Sequence, residues 1–144
     1  MPNLNIVFMR KTGAYGLHNT KLMTSFKKWL ESNDLLHDES VVLGIAQDNP
    51  LFVKPEDCRY DVALIVSDAN RINDTTIMNG LVKGGKYAVF KINHTAEAMQ
   101  QAWQEIFQEI SKEGYLLDES RPSIERYAIH MVNTHYCEIC VPIQ

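Results

Sequence analysis

Two patterns of apolar residues recur along this chain, one with the spacing of a helix and one typical of strands. They predict two helices and six strands. The helices are predicted at 20–32 and 95–112, where apolar residues recur at helical spacing. The strands are predicted at 4–10, 40–47, 60–67, 86–92, 124–131 and 136–143, which are rich in Val, Ile, Leu and aromatic residues. Gly114 follows the second helix, at a position where glycine commonly ends a helix.

The predicted elements follow the order β-α-β-β twice. A short motif supports the repeat, because LLHDES at 35–40 follows the first helix and LLDES at 116–120 follows the second. We therefore predict one α+β domain over 1–144, built from two modules at about 1–68 and about 77–144. Two such units bury their apolar faces by packing together. We expect a ligand cleft at their junction, where pockets form preferentially.

Length, composition and charge narrow the class of protein. A chain of 144 residues with 45% hydrophobic residues suits one folded domain. Its net charge of −4 lacks the basic field of a nucleic-acid-binding protein and agrees weakly with a positively charged ligand. No apolar run is long enough to cross a bilayer, and polar Asn3 and Asn5 are unlike a signal peptide. We expect a cytoplasmic protein without direct nucleic-acid or membrane contacts.

The sequence predicts neither a metal site nor a cofactor. Cys58, Cys137 and Cys140 form an odd set without a paired spacing, which favours a reducing compartment over a disulfide framework. The five histidines lack zinc-site spacing. Phosphate-binding and dinucleotide-binding glycine motifs are absent from the sequence.

Glu125 is the most informative residue for function. Strand alternation places it on one face with Tyr127, Ile129 and Met131. A carboxylate there is desolvated, so it must meet a cation, accept hydrogen bonds or take up a proton. One interpretation is that a cationic ligand supplies the missing charge. The other is that Glu125 lies at a strand edge and pairs with Arg126 or a nearby lysine.

Several aromatic residues are candidates for the walls of such a site. An indole beside a carboxylate makes a good cage for an organic cation, which draws attention to Trp103. Aromatic residues near the predicted module boundaries can add further walls, although each one can equally be core packing. They are Tyr15, Phe52, Tyr60, Tyr87 and Tyr136.

Three stretches carry a resemblance to a known family. They are TGAYG at 12–16, the segment 48–61 that ends in CRYD, and GKYAVF at 85–90, which continues through Trp103, ERY at 125–127 and CEICVPI at 137–143. In this order and spacing the set resembles the GyrI-like family, which includes the DNA gyrase inhibitory protein and ligand-sensing domains of AraC-type and MerR-type regulators. The resemblance extends over nearly the whole chain.

The resemblance implies two β-α-β-β modules related by a pseudo-twofold axis, with a ligand cleft between them. In drug-sensing members, a buried glutamate at the position matching Glu125 meets lipophilic cations among aromatic residues. Tyr127 and His135 match wall positions whose identity varies between members. The chain departs from the family pattern at Ala14, where the family has proline, and at 93–96, where many members have a Gly-Tyr turn.

Three functions remain open at this point. The first is a stand-alone binding protein that captures amphipathic, cationic lipophilic molecules for sensing or sequestration. The second is an interaction protein that inhibits DNA gyrase, with a regulator protein as an alternative partner. The third is a hydrolase of strained electrophilic toxins that uses Glu125, Trp103 and Tyr127. Because the family motifs occupy the whole chain, we do not expect a helix-turn-helix domain within it.

Overall fold

One antiparallel sheet organises the chain in the computed structural model, which describes residues 1–49, 52–67 and 75–144, without the side chains of residues 17 and 18. Its seven strands are β1 Leu4–Thr12, β2 Val41–Ala46, β3 Arg59–Val66, β4 Met78–Val82, β5 Tyr87–Asn93, β6 Ser123–Ala128 and β7 Tyr136–Pro142. They lie in the order β4-β1-β3-β2-β6-β7-β5. Together with the helices, this sheet confirms the predicted α+β class.

The first and second halves of the chain meet at the centre of the sheet. There β2 pairs with β6, from Val41 opposite Ala128 to Ala46 opposite Ser123. We call this pair of strands the seam. Strands β4, β1, β3 and β2 lie on one side of it, and β6, β7 and β5 lie on the other. Side chains at the seam are therefore flanked by elements from both halves.

The helices begin and end near the predicted positions. Within the described residues, α1 spans Leu17–Ser32, α2 spans Ala96–Lys112, α3 is the single turn Ile129–Val132, and a 3-10 turn spans Pro55–Asp57. At the start of α2 the Thr95 hydroxyl accepts a hydrogen bond from the Ala98 amide at 3.1 Å, which satisfies one of the free amides of the first turn. Gly114 follows α2 with φ of 83°, a left-handed conformation that favours glycine.

Both long helices cover the same side of the sheet, which we call the helix face. Burial of each large apolar side chain there stabilises the fold by about 1.5–3 kcal/mol relative to exposure. The buried side chains are Val7, Phe26, Leu30, Val42, Val62 and Leu64 under α1, and Ile106, Ile110, Ile139 and Val141 under α2. The seam lies between these two clusters.

The opposite face carries a third buried cluster and a partly buried ion pair. Leu43, Ile45, Ala63, Ile124 and Cys140 are buried there. The carboxylate of Asp61 accepts two hydrogen bonds from the Arg10 guanidinium, at 2.7 and 2.9 Å, and one from the Gln47 amide at 3.0 Å. This carboxylate has a cation and a full set of donors, so its role is structural.

The strand predicted at 124–131 is shorter than expected, because β6 ends at Ala128 and the chain turns into α3. Its neighbour β2 begins at Val41, opposite Ala128, so the ladder has no further partner. The Ile129 amide donates instead to the Ser40 carbonyl oxygen at 3.0 Å. The prediction that Ile129 and Met131 extend the strand face of Glu125 is therefore wrong.

The edge strand β4 is absent from the prediction. It pairs with β1, from Val82 opposite Leu4 to Met78 opposite Phe8. Its sequence MNGLV contains Asn79 and Gly80, which disfavour strands, so its apolar pattern is weak. The polar stretch before it is predicted at 68–76, of which residues 68–74 lie outside the described residues.

Candidate functional site

Glu125 lies on β6 at the seam, on the helix face of the sheet and partly buried. Its Oε1 accepts a hydrogen bond from the Tyr60 hydroxyl at 2.9 Å. Its Oε2 accepts a longer hydrogen bond from the Trp103 indole Nε1, at 3.4 Å. These donors come from β3 and α2, which belong to different halves of the chain. The structure therefore brings together three residues that the sequence identified as candidates.

Burial raises the pKa of Glu125, although hydrogen bonds from Tyr60, Trp103 and Tyr127 lower it in part. Burial also raises the pKa of Tyr60 and that of Tyr127, and the charge of Glu125 adds to both shifts. The two phenols therefore remain neutral donors at physiological pH. Among the described residues, none of the ion pairs supplies Glu125 with a cation.

The alternative pairing of Glu125 with Arg126 does not occur. The Arg126 side chain points to the opposite face, where its Nε donates to Oε1 of Glu138 at 2.9 Å. β6 is moreover a central strand, flanked by β2 and β7, and not an edge. The carboxylate of Glu125 is thus held by neutral donors alone among the residues that the structure describes.

Gly44 makes room for this hydrogen-bonded group. It lies on β2 directly opposite Glu125. A Cβ atom added at this position would overlap the Tyr60 hydroxyl and would lie 3.0 Å from Oε1 of Glu125. Gly44 was not predicted as a site residue. The available signal was a glycine inside the buried apolar run VVLGIA, which marks a close approach in a strand.

Tyr15 supports the Tyr60 side of the group. Its ring meets the Tyr60 ring edge to face, with centroids 6.1 Å apart. Its hydroxyl donates to the Arg59 carbonyl oxygen at 2.7 Å and accepts from the Asp48 amide at 3.1 Å. Tyr15 therefore packs against Tyr60 and holds its ring in position. The Tyr15 hydroxyl is not hydrogen-bonded to the Glu125 carboxylate.

The Trp103 side of the group is more open. The Trp103 indole is partly buried and stacks on the Phe107 ring, with centroids 6.1 Å apart. Phe107 is 40% exposed, so the aromatic surface continues from the carboxylate to solvent along α2. Phe107 was not predicted as a site residue, although it lies one helical turn after Trp103.

His94 is a further neighbour that the prediction did not include in the site. Its ring lies 5.5 Å from the Tyr127 ring, at an interplanar angle of 57°. Burial lowers the pKa of His94, and the charges of Lys27 and His135 lower it further. The predicted wall residue His135 is exposed, and its carbonyl oxygen accepts a hydrogen bond from the His94 amide at 2.8 Å.

Two predicted wall residues lie apart from Glu125. Phe52 is in the β2–β3 connection and is 80% exposed. Tyr87 projects from the opposite face of the sheet, where its ring lies under the Arg121 guanidinium at 4.7 Å. Its hydroxyl donates to the Lys83 carbonyl oxygen at 2.9 Å. The structure does not bring either residue into the Glu125 group.

Two surface depressions, of about 570 and 550 Å³, lie elsewhere. One is lined by Tyr87 and Arg126 on the opposite face, and the other by Lys91 and Gln101 at the outer side of α2. Neither is lined by Glu125. The cleft predicted at the module junction stays a prediction.

The cysteines are buried and unpaired. Cys137 and Cys140 alternate across β7 and face opposite sides of the sheet, so their CxxC spacing does not bring the thiols together. Burial raises the pKa of each thiol to about 11. The described residues contain no helix that is long and apolar enough to cross a membrane.

Comparison with known proteins identifies the family. The model of the GyrI-like small molecule binding domain matches residues 1–144. The chain belongs to this family. A relative from Bacillus subtilis (strain 168), named "SPbeta prophage-derived putative transcriptional regulator YosT", is 44% identical over 146 residues, and the match covers 100% of this chain and 95% of that protein.

This GyrI-like domain also has the fold of solved structures. The structure of EcmrR in its DNA complex matches with a TM-score of 0.75 at 16% identity, covering 100% of this chain and 55% of that one. SAV2435 bound to tetraphenylphosphonium matches with a TM-score of 0.61 at 17% identity, covering 100% of this chain and 90% of that one. At these identities the likeness shows the fold alone. The GyrI-like chain spans about half the length of the EcmrR chain.

Proposed function

We propose that this GyrI-like domain captures amphipathic, lipophilic cations for sensing or sequestration, with Glu125 as the counter-charge. The observation that carries the proposal is the carboxylate itself. It is held by neutral donors, burial raises its pKa, and none of the ion pairs among the described residues supplies it with a cation. A ligand cation would supply the positive charge that the Glu125 carboxylate lacks, and would therefore bind beside it.

The surroundings of Glu125 suit the apolar part of such a ligand. Trp103 and Phe107 offer stacked aromatic faces that continue to the surface. A cation over an indole face gains about 0.5–2 kcal/mol, and each Å² of apolar surface removed from water adds about 25 cal/mol. The apolar contact therefore supplies most of the affinity, and the carboxylate selects for charge.

Ligand entry requires a side chain to move, since the Glu125 carboxylate is covered by its donors. Trp103 is the candidate for this movement. Its hydrogen bond is the longer of the two, at 3.4 Å, and its ring stacks on a partly exposed residue. Tyr60 is 5% exposed and braced by Tyr15, so it remains in place. A sliding Trp103 would open the seam and place its ring against the ligand.

The position of Glu125 supports a two-module origin of the site. We propose that residues at about 1–68 and about 77–144 form related β-α-β-β modules and that the ligand cleft lies between them. The strand order β1-β3-β2 on one side of the seam and β5-β7-β6 on the other agrees with this relation. The tetraphenylphosphonium bound to SAV2435 supports a lipophilic cation as the ligand class.

The test compares two probes of nearly the same shape. Methyltriphenylphosphonium is a cation, and triphenylphosphine oxide is neutral. Titration calorimetry should show that Glu125→Gln lowers the affinity for the cation at least tenfold, which corresponds to about 1.4 kcal/mol of binding free energy. This loss is smaller than the roughly 3–5 kcal/mol that removal of one partner of a buried charge pair costs, because a mobile ligand keeps some of its water. The oxide should bind the variant as well as the wild type or better.

Glu138→Gln is the matched control, because it removes the same charge from β7 on the opposite face. It should leave the affinity for both probes within twofold of wild type. Equal losses for the cation and the oxide in Glu125→Gln would mean that Glu125 is structural, and the proposal would be withdrawn.

A second candidate function is hydrolysis of strained electrophiles. The residues that such a reaction would use, Glu125, Trp103 and Tyr127, do interact, and a raised pKa suits a general acid or base. Incubation of the protein with an epoxide such as styrene oxide, with diol formation measured by chromatography, tests it. Turnover that Glu125→Gln abolishes would favour the enzyme over the binding protein.

A further inference from the structure

The depression of about 570 Å³ on the opposite face of the sheet has the composition of a ligand site. We call it the opposite-face pocket. Its apolar wall includes Val89 on β5 and Tyr115 after α2, which are 45% and 54% exposed. Exposed apolar side chains that lie together mark candidate binding sites, and small-molecule sites commonly have volumes of about 300–1,000 Å³. The lining also includes Met1, Lys86, Tyr87 and Arg126.

The charged side chains that line the opposite-face pocket are basic. They are Lys86, which precedes β5, and Arg126 on β6. None of the lining residues that the structure describes is acidic. Lys86 is exposed and takes part in none of the ion pairs among the described residues. The pocket therefore combines apolar walls with positive charge, in a protein whose net charge is −4.

The Arg126 guanidinium has donors to spare for a ligand. Within the described part of the chain, its Nε donates to Oε1 of Glu138 at 2.9 Å and its Nη1 donates to the Met1 sulfur at 3.6 Å. A guanidinium carries five N–H donors, and a thioether sulfur is a weak acceptor. A carboxylate oxygen is a stronger acceptor, and a planar carboxylate matches the geometry of a guanidinium. Arg126 can therefore bind an anion while it keeps its ion pair with Glu138.

A buried cation fixes the wall of the pocket before any ligand binds. The Arg121 guanidinium donates to the carbonyl oxygens of Lys86 and Ile143, both at 3.0 Å, and forms an ion pair with Asp118 at 2.9 Å. The ring of Tyr87 packs against the same guanidinium. Residues 86, 87 and 143 all line the pocket. A wall that is held in this way loses little freedom when a ligand binds, which favours affinity.

We propose that the opposite-face pocket is a second ligand site, which binds an amphipathic monoanion: a carboxylate or sulfonate on an apolar body. The anionic group binds Arg126 and Lys86, and the apolar body covers Val89 and Tyr115. Glu125 precedes Arg126 on β6 and projects to the helix face, so the two sites take ligands of opposite charge on the two sides of the sheet. This second site does not depend on the proposed function of Glu125.

The experiment uses two probes of nearly the same shape. Naphthylacetate carries a carboxylate, and naphthylacetamide is neutral. Titration calorimetry gives the dissociation constant of each probe. The wild type should bind the carboxylate about three- to tenfold more tightly than the amide, because an ion pair that is partly exposed contributes up to about fivefold and a second cation adds to it.

Two variants at the Arg126 ion pair should change the affinity for naphthylacetate in opposite directions. Glu138→Gln removes a carboxylate that repels the ligand, so the affinity should rise about two- to fivefold. Arg126→Gln/Glu138→Gln removes both charges without leaving a carboxylate unpaired, and the affinity should fall about three- to tenfold below that of Glu138→Gln. Both variants should bind the amide as the wild type does. A side chain that only shapes the pocket would change both probes alike.

The second cation has a matched control in the same segment. Lys86→Gln should lower the affinity for naphthylacetate about two- to threefold. Lys83→Gln should leave it unchanged, because Lys83 is an exposed lysine outside the lining that the structure describes. Val89→Asp places a carboxylate on the pocket wall and should remove the preference for naphthylacetate over the amide. Thermal unfolding of each variant verifies that the fold is retained.

Three results would overturn the second site. They are equal affinity of the wild type for both probes, no binding of either probe, and the same affinity for naphthylacetate in Glu138→Gln and the double variant. Glu125→Gln separates the two sites, because it should weaken the phosphonium cation and leave naphthylacetate unchanged. A rise in naphthylacetate affinity in Glu125→Gln would place the anion beside Glu125 and would also overturn the second site. Failure of the phosphonium to bind would contradict the proposed function alone.

Discussion

Replacement of Gly44 by alanine tests the construction of the site with a single methyl group. The new Cβ would overlap the Tyr60 hydroxyl and approach Cζ of Tyr60 at 3.1 Å and Oε1 of Glu125 at 3.0 Å. Tyr60 has little freedom to retreat, because it is 5% exposed and braced by Tyr15. The hydrogen bond between Tyr60 and Glu125 would therefore break or the strands would shift.

The size of the effect follows from three contributions. Alanine is favoured over glycine in a strand interior by about 0.5–1 kcal/mol. Overpacking of a filled core costs about 1–3 kcal/mol. Loss of a hydrogen bond to a charged acceptor costs about 1.5–3 kcal/mol. We expect the free energy of unfolding to fall by about 2–4 kcal/mol, whereas strand propensity alone predicts that it rises.

A double-mutant cycle with Tyr60→Phe isolates the cause, because phenylalanine lacks the hydroxyl that alanine would meet. Urea denaturation of wild type, both single variants and the double variant gives the coupling energy. We expect Gly44→Ala to cost less than about 1 kcal/mol in the Tyr60→Phe background, with a coupling of at least about 1 kcal/mol. Additive effects, or wild-type stability of Gly44→Ala, would refute the close approach as the reason for glycine.

Two further predictions concern the free protein and its partners. The folded-state pKa of Glu125 is raised, so its contribution to stability is present below the unfolded pKa of about 4.5 and is lost as pH rises through the folded pKa. As pH falls from 8 to 5, the urea midpoint of the apo wild type should therefore rise relative to that of Glu125→Gln, because the lowered pKa of His94 opposes the rise equally in both proteins. The lowered pKa values of Asp48 and Asp118 act below this window. DNA supercoiling by gyrase should be unaffected at micromolar protein, and inhibition that persists in Glu125→Gln would instead favour the gyrase-partner hypothesis.

The sequence predicts what depends on periodicity. Six strands and both long helices follow from apolar spacing, and Gly114 and Thr95 mark the ends of α2 as local rules require. Edges and strand ends depend on pairing between distant segments. β4 forms because β1 offers a free edge, and β6 ends opposite the residue at which β2 begins. Neither feature can be predicted from its own segment of sequence.

Some residues of the candidate site can likewise be predicted from local sequence pattern, and others depend on distant segments. Glu125 and Tyr127 could be found because they share a strand face, and Trp103 because an aromatic residue stands on a helix that covers the sheet. Tyr60 and Tyr87 are indistinguishable by composition, yet only Tyr60 reaches the carboxylate, because the register of β3 against β2 points it to the helix face. Gly44 and His94 act through neighbours that are far away in the sequence.

The seam has a consequence for how this protein acquires its binding capacity. Gly44 and Glu125 face each other across the central strand pair, which joins segments about 80 residues apart in the sequence. Loop closure over such a separation is slow and must precede the contact that rewards it. The Glu125 group is therefore complete only when β2 and β6 are paired. Ligand binding should therefore act on global opening, so that amide exchange slows in both β2 and β6 together and also in strands remote from Glu125.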